Sequence, residues 1–155
     1  MIRDNEHLTR LDGVPVKHNI LTTTVIRKDD VIYKVQPLFF TDNEMWALQE
    51  LGDTGFVPVA ERVDDETICM EFIETEKITD PDRFRRGCDE LLMAMSDARI
   101  KHGDISPPHV LVRYNYPVLI DWSESRYWYD PRPSKRRESD AELLHAVMEE
   151  MIDGR

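Results

Sequence analysis

"KHGDISPPHVLVRYNYPVLIDWSES", residues 101–125, is the stretch on which the fold turns. Two aspartates, Asp104 and Asp121, each stand in a short turn at the edge of an apolar, β-like segment, and histidines stand at 102 and 109. Either aspartate alone reads as a turn-capping side chain. Together they bracket "VLVRYNYPVLI", which reads as a hairpin, and two independent caps are then a poor account of them. Pro107 and Pro108 stiffen the first turn and set the approach of the strand that follows.

Outward from this stretch the chain reads as helices on its C-terminal side and mostly strands on its N-terminal side. "SDAELLHAVMEEMI" opens with a capping box at Ser139 and Glu142 and carries Leu143, Leu144, Val147, Met148 and Met151 on one stripe. "PDRFRRGCDELLMAMSDARI" places Phe84, Cys88, Leu91, Leu92 and Met95 at helical spacing behind the start signal Pro81. The methionines on both stripes read as core packing. Residues 14–40 read as two or three antiparallel strands, "VPVKHNILTTTVIRK" and "VIYKVQPLFF", turning at Asp29-Asp30. A capping box at Thr41 and Glu44, with Gly52 as C-cap, predicts a helix over about 42–51. On it Glu44 shares the inward face with Leu48 and Leu51. Residues 56–60, 61–63 and 67–73 predict further strands around the acidic "DDE" turn.

Phosphoryl transfer from ATP needs a cation on the phosphates, acidic oxygens for magnesium, and a carboxylate to orient the attacking hydroxyl. The chain offers candidates in that order. Lys34 lies in the strand "VIYKV", comparable to the kinase V-A-I-K strand whose lysine pairs with a helix glutamate, and Glu44 is the inward glutamate of the next helix. "HGDISPPH" takes the place of the kinase catalytic loop with Asp104 at the base position, and Asp121 in "VLIDWSES" stands where the metal-holding aspartate would stand.

"HGDISPPHVLV" followed by "PVLIDWSES" resembles the RIO family of atypical protein kinases, and "NEMWALQELGDTGFVPVAERVDDETICMEFIE" is similar to that family's helix, strand pair and hinge. The resemblance runs from about residue 25 to 150. It implies an α+β, two-lobed protein-kinase-like fold: a small antiparallel N-lobe sheet with one helix over about 10–73, a hinge at about 71–75, and a reduced, mostly helical C-lobe over about 76–155, all one domain. It implies a serine/threonine phosphotransferase that uses ATP with magnesium, or manganese, on a protein substrate or on itself, or that acts as an ATPase. Lys34 and Glu44 would then be the ATP-phosphate lysine and its partner, and the backbone from Glu71 to Ile73 would meet adenine. Asp104 would be the catalytic base, Asp121 a metal ligand, His102 a brace of the loop, and Asp140 an anchor beneath it. No appended winged-helix domain is expected.

Two departures bear on turnover. His109 takes the position of the family's metal-binding asparagine, and magnesium prefers oxygen to imidazole. No glycine occurs between Gly13 and Gly52, so "KHNILTTT" would have to cover the phosphates with bulkier residues. The alternatives are therefore a pseudokinase that binds nucleotide or acts as a scaffold, and a small-molecule kinase of the aminoglycoside-phosphotransferase type. One helix after Asp121 leaves the latter little room for a substrate subdomain.

The 155 residues are 41% hydrophobic and 33% charged, the balance of one soluble globular unit. A net charge of −11 excludes a general nucleic-acid coat. Against that background "RYWYDPRPSKRR" sets three aromatics beside Arg132, Lys135, Arg136 and Arg137, a local surface for RNA, ribosomal or otherwise, or for an acidic partner. Cys69 and Cys88 lack metal-site spacing and are expected to be reduced and buried. No apolar run nears the roughly 20 residues of a membrane span, and the charged "MIRDNEHLTR" is unlike a signal peptide, so a cytoplasmic protein is expected.

Overall fold

A computed structural model describes residues 23–154. Most of the expected glycine-free phosphate loop, and the strand residues before 23, lie outside the described residues.

The N-lobe is one antiparallel sheet in the order β1-β2-β4-β3, formed by β1 (Thr24–Lys28), β2 (Val31–Val35), β3 (Ala60–Asp64) and β4 (Thr67–Glu71). β1 and β2 meet at the predicted turn, where Asp29 adopts φ 54°. The pairing of β2 with β4 sets Lys34 opposite Ile68 in the interior of the sheet. The expected strand over 56–63 forms only in its second part. Phe56 and Val57 are buried in loop backbone, and the strand starts only at Ala60. Pro58 has no N–H for a ladder, and the Phe56 carbonyl accepts from Leu119 of the C-lobe instead.

The helix α1 (Leu38–Glu50) begins four residues ahead of the predicted start. Pro37 is its N-cap residue, and no capping box forms at Thr41. Thr41 is buried, and its hydroxyl donates to the carbonyls of Gln36 and Pro37. The run "PLFF" reads as strand because Phe favours pleated surfaces, but Pro presets the helical φ and opens the helix.

The C-lobe packs α2 (Pro81–Ala98) against α3 (Asp140–Asp153) and against a hairpin of β6 (Val110–Arg113) and β7 (Tyr116–Leu119). The side chain of Asp80 caps α2 by accepting from the Arg83 amide, and both arms of the predicted capping box at Ser139 and Glu142 are present on α3. Tyr114 and Asn115 both have positive φ at the hairpin turn, which suits the right-handed twist of a two-residue connection. Short strands β5 (Ile100–Lys101) and β8 (Arg126–Tyr127) pair beneath. Phe84, Cys88, Leu91, Met95, Leu144, Val147 and Met148 form the interior between the helices, as the two stripes predict.

Cys69 departs from expectation. It is half-buried on β4, whereas Cys88 is fully buried on α2. Burial pushes the Cys88 thiol up to about 12, and a thiol reacts as its thiolate. Iodoacetamide on the native protein is therefore expected to label Cys69 and spare Cys88, as read by peptide mass spectrometry. Equal labelling would show that the helical interface opens on the labelling timescale.

Candidate active site

Lys34 is the hub at which the two lobes meet. Its Nζ lies 2.8 Å from Glu44 Oε1 and 2.9 Å from Asp121 Oδ1, joining β2, α1 and the segment after β7. Burial draws the ammonium's pKa down, but the two carboxylates outweigh it and the net direction is upward, so the lysine is charged. Glu44 is 1% exposed and fully engaged. Oε1 also accepts from Gln36 Nε2 at 2.8 Å, and Oε2 accepts the Trp122 amide at 2.9 Å. One N-lobe carboxylate thus holds both Lys34 and the backbone next to Asp121.

Asp121 sits at φ 61°, a conformation that aspartate and asparagine tolerate better than other non-glycine residues. Oδ1 also accepts from Ser123 Oγ at 2.9 Å, and Oδ2 faces His109 Nε2 at 3.1 Å. Burial pushes this carboxyl up, yet His109, Lys34 and Ser123 outweigh it and hold it well below the usual carboxylate range. Asn43 and Ser125 tie α1 to the same segment, Asn43 Nδ2 donating to the Ser123 carbonyl and Ser125 Oγ to the Asn43 carbonyl.

His102 is fully buried, and burial pushes its pKa down, so it is neutral. Its Nε2–H donates to the Ile120 carbonyl at 2.9 Å, and Nδ1 accepts the Asp104 amide at 3.1 Å. That ring ties the loop carrying Asp104 to the residue before Asp121. From the other side Asp140, at the start of α3, accepts the amides of His102 and Gly103 at 2.8 and 3.1 Å. Gly103 has φ 86°, and a Cβ there would meet the Glu124 carbonyl at 3.0 Å, so glycine is required.

His109 closes a single 3-10 turn, Pro107–His109, and the two prolines that open it set the approach to β6. Its Nδ1 lies 2.8 Å from the Asp104 carbonyl, which only accepts, so Nδ1 carries the proton. In the neutral ring that leaves the Nε2 lone pair aimed at Asp121, the arrangement found in metal-ligating histidines. The hydrogen bond to Asp121 raises the pKa of the imidazole. Ligand atoms of Asp104, His109 and Asp121 all lie within 4.8 Å of one another. Two carboxylates and one imidazole fit a divalent cation, and better a borderline one such as manganese than magnesium.

Beside this cluster a cleft of about 370 Å³ opens between the lobes, with walls that include Val25, Ile32, Met70, Ile73, Leu111 and Ile120 and with Lys34, Glu44 and Asp121 on its polar side. An apolar slot ending in charged groups suits a planar base attached to phosphates. The family model of the RIO domain matches residues 33–152, which spans both lobes and every polar group just described. The chain belongs to the RIO-domain family. RIO domains are kinase-like and as a family bind ATP with magnesium. No curated protein matches the chain.

Within this RIO domain part of the hinge backbone is already engaged. Glu71 and Ile73 both line the cleft. The Glu71 amide, however, donates to the Val59 carbonyl and the Phe72 amide to the Asp30 carbonyl, so neither is free to meet adenine. The Glu71 carboxylate is likewise occupied, by the Val59 amide and Arg113.

The larger difference concerns the basic segment. Arg132 pairs with Asp130, Lys135 Nζ lies 3.1 Å from Asp104 Oδ2, and Arg136 Nε lies 2.9 Å from Asp104 Oδ1. Three of the four cations read as an RNA surface are thus turned onto the chain's own carboxylates. Sequence reading also passed over Gln36, Asn43 and Ser123. Only Ser123, two residues after Asp121 in a turn-like "DWS", carried a local signal.

Proposed function

We propose that this RIO domain is an ATP-dependent phosphotransferase acting on serine or threonine hydroxyls of a protein, or on its own. The observation that carries the reading is the meeting of Lys34, Glu44 and Asp121 from three separate elements at the polar end of an apolar cleft, with Asp104 and His109 beside them.

In this reading the adenine lies between the apolar walls, with the hinge at about 71–75, and Lys34 holds the phosphates. The acceptor oxygen attacks the γ-phosphorus, the bond to the bridging oxygen breaks, and ADP leaves. Asp104 orients the hydroxyl and takes its proton. Asp121 and His109 would hold the divalent cation, which supplies charge neutralisation on the phosphate oxygens. The roles of His102 and Asp140 are positional, since each holds the backbone of the Asp104 loop.

Incubation with γ-labelled ATP and magnesium or manganese tests the reading. Label on the wild type that disappears in Asp104→Ala supports it, and no nucleotide-dependent change of any kind sinks it. A second reading, nucleotide binding without transfer, is favoured by His109 and by the pairing of both Asp104 oxygens. ATP-dependent thermal stabilisation with no label would select it. A small-molecule kinase is less well supported, because α3 is the one helix after Asp121 among the described residues. As for partners, a protein or RNA contact rests on the basic segment once it is released from Asp104.

His109→Asn replaces nitrogen by oxygen at the cation position. The variant is expected to shift the magnesium-to-manganese ratio of initial rates toward magnesium by roughly tenfold, the effect expected of one changed ligand. An unchanged ratio would remove His109 from the cation site.

A further inference from the structure

The carboxylate assigned as the base is capped by the chain itself. Asp104 Oδ1 receives Arg136 and Oδ2 receives Lys135, so each oxygen already holds a cationic donor and only 9% of the side chain reaches solvent. Both cations belong to the irregular stretch between β8 and α3, which is exposed along its length from Pro131 to Ser139. This stretch is held in place rather than loose. The buried Arg126 reaches up from β8, and its Nη1 donates to the carbonyls of Arg132 and Pro133 at 3.1 and 3.0 Å. Arg132 folds back onto Asp130 and lies over the Phe39 ring of α1 at 5.1 Å. Pro131 and Pro133 restrict the same residues.

We propose that residues 130–138 form an autoinhibitory strap, with Lys135 and Arg136 closing Asp104 against acceptors until the strap is drawn off. The proposal rests on the phosphotransferase reading of the site. The two halves of the strap differ in strength, as such a device needs. The tether at Arg126 is buried and bidentate, whereas the Lys135 and Arg136 side chains are about half exposed, at 55% and 42%. These pairs reach water on the cation side only, Asp104 itself being 9% exposed, so salt screens them in part and the tip releases more readily than the buried tether. Release uncovers Asp104 and at the same moment frees two cations on an otherwise acidic protein, so anionic surroundings favour the open form.

Limited trypsin digestion of the full chain, beside phosphotransfer assays, tests the strap. Trypsin must take a lysine or arginine side chain into its own pocket, so cations held by Asp104 are protected. Asp104→Asn is expected to speed cleavage after Lys135 and Arg136 by roughly three- to tenfold, the size of one or two partly exposed ion pairs. Cleavage within α2, at Arg83, Arg85 and Arg86, serves as the internal control for folding. Added salt should speed wild-type strap cleavage and leave the variant unchanged. In the transfer assay the double variant Lys135→Gln, Arg136→Gln should raise kcat/KM for the acceptor several-fold with the KM for ATP unchanged. Equal strap cleavage in wild type and Asp104→Asn overturns the proposal. So does slower transfer by the double variant, which would make the two cations part of the transfer machinery. Absence of transfer from every chain, with accelerated cleavage in Asp104→Asn, sinks the phosphotransferase reading and leaves the cap on Asp104 standing.

Discussion

Lys34→Met is expected to destabilise the fold by about 3–5 kcal/mol, the range observed when one partner of a buried ion pair is removed. The reason lies in Glu44 rather than in the lysine's own contacts. At 1% exposure the glutamate has no water to turn to, and its other partners are a neutral amide side chain and one backbone N–H. Asp121 loses the same cation but retains Ser123, His109 and some solvent, so it carries the smaller share of the penalty. Urea denaturation should show a lower midpoint with an unchanged slope. The second variant, Lys34→Met with Glu44→Gln, removes the orphaned charge and is expected to recover at least about half of the loss. A double variant no more stable than the single one would contradict the assignment of the penalty to Glu44. Loss of ATP-dependent stabilisation in the double variant would then be read on a protein that still folds.

Asp121→Asn is expected to abolish phosphoryl transfer, by about a thousandfold or more, because several kcal/mol of charge stabilisation pass through this carboxylate in the proposed mechanism. Asparagine is the substitution of choice. It tolerates the left-handed φ of 61° at which Asp121 sits and keeps an oxygen for Ser123. Alanine would add backbone strain to the chemical change. The variant also carries a pH signature. The Asp121 carboxyl lies well below its unfolded value of about 3.9, so the unfolded chain binds the more protons between the two values and stability falls with falling pH there. The contribution is therefore fully present above the unfolded value and lost as pH drops through the folded one. Acid titration of the wild type should show that extra slope, and Asp121→Asn should lack it. Retained transfer in a folded Asp121→Asn protein would exclude this residue as the metal ligand.

Lys135 and Arg136 bear on how both activity measurements are read. If the strap holds Asp104, a low wild-type rate reflects a closed acceptor site and not a defective metal position. The double glutamine variant and His109→Asn then separate the two causes, since the first acts on the acceptor and the second on the choice of cation.

Local order along the chain determined a good deal. The hairpin between Asp104 and Asp121 was legible because two short apolar runs, the polar residues between them and the prolines ahead of them all agree over a few positions, and strands are written at that range. The α3 capping box and the apolar stripes of α2 and α3 were legible for the same reason. So was the inward direction of Glu44, which needs only helical periodicity. The start of α1 was not. Its run "PLFF" has strand-like residues, and what goes with its helical form is the hydroxyl of Thr41 turned back onto Gln36 and Pro37 and the burial of Glu44 against Trp122, far along the chain.

Only tertiary structure could decide which charges meet. Glu44 bonds the amide of Trp122 from 78 positions away, and Asp104 holds Lys135 and Arg136 from 31 and 32 positions away. No spacing rule reaches that far, because a side chain's local period says which face it shares and not what the folded chain brings opposite. A basic, aromatic segment in an acidic protein read as a surface for other molecules. Folding returned that segment to the chain's own carboxylate, since in a chain with a net charge of −11 the nearest anions are its own.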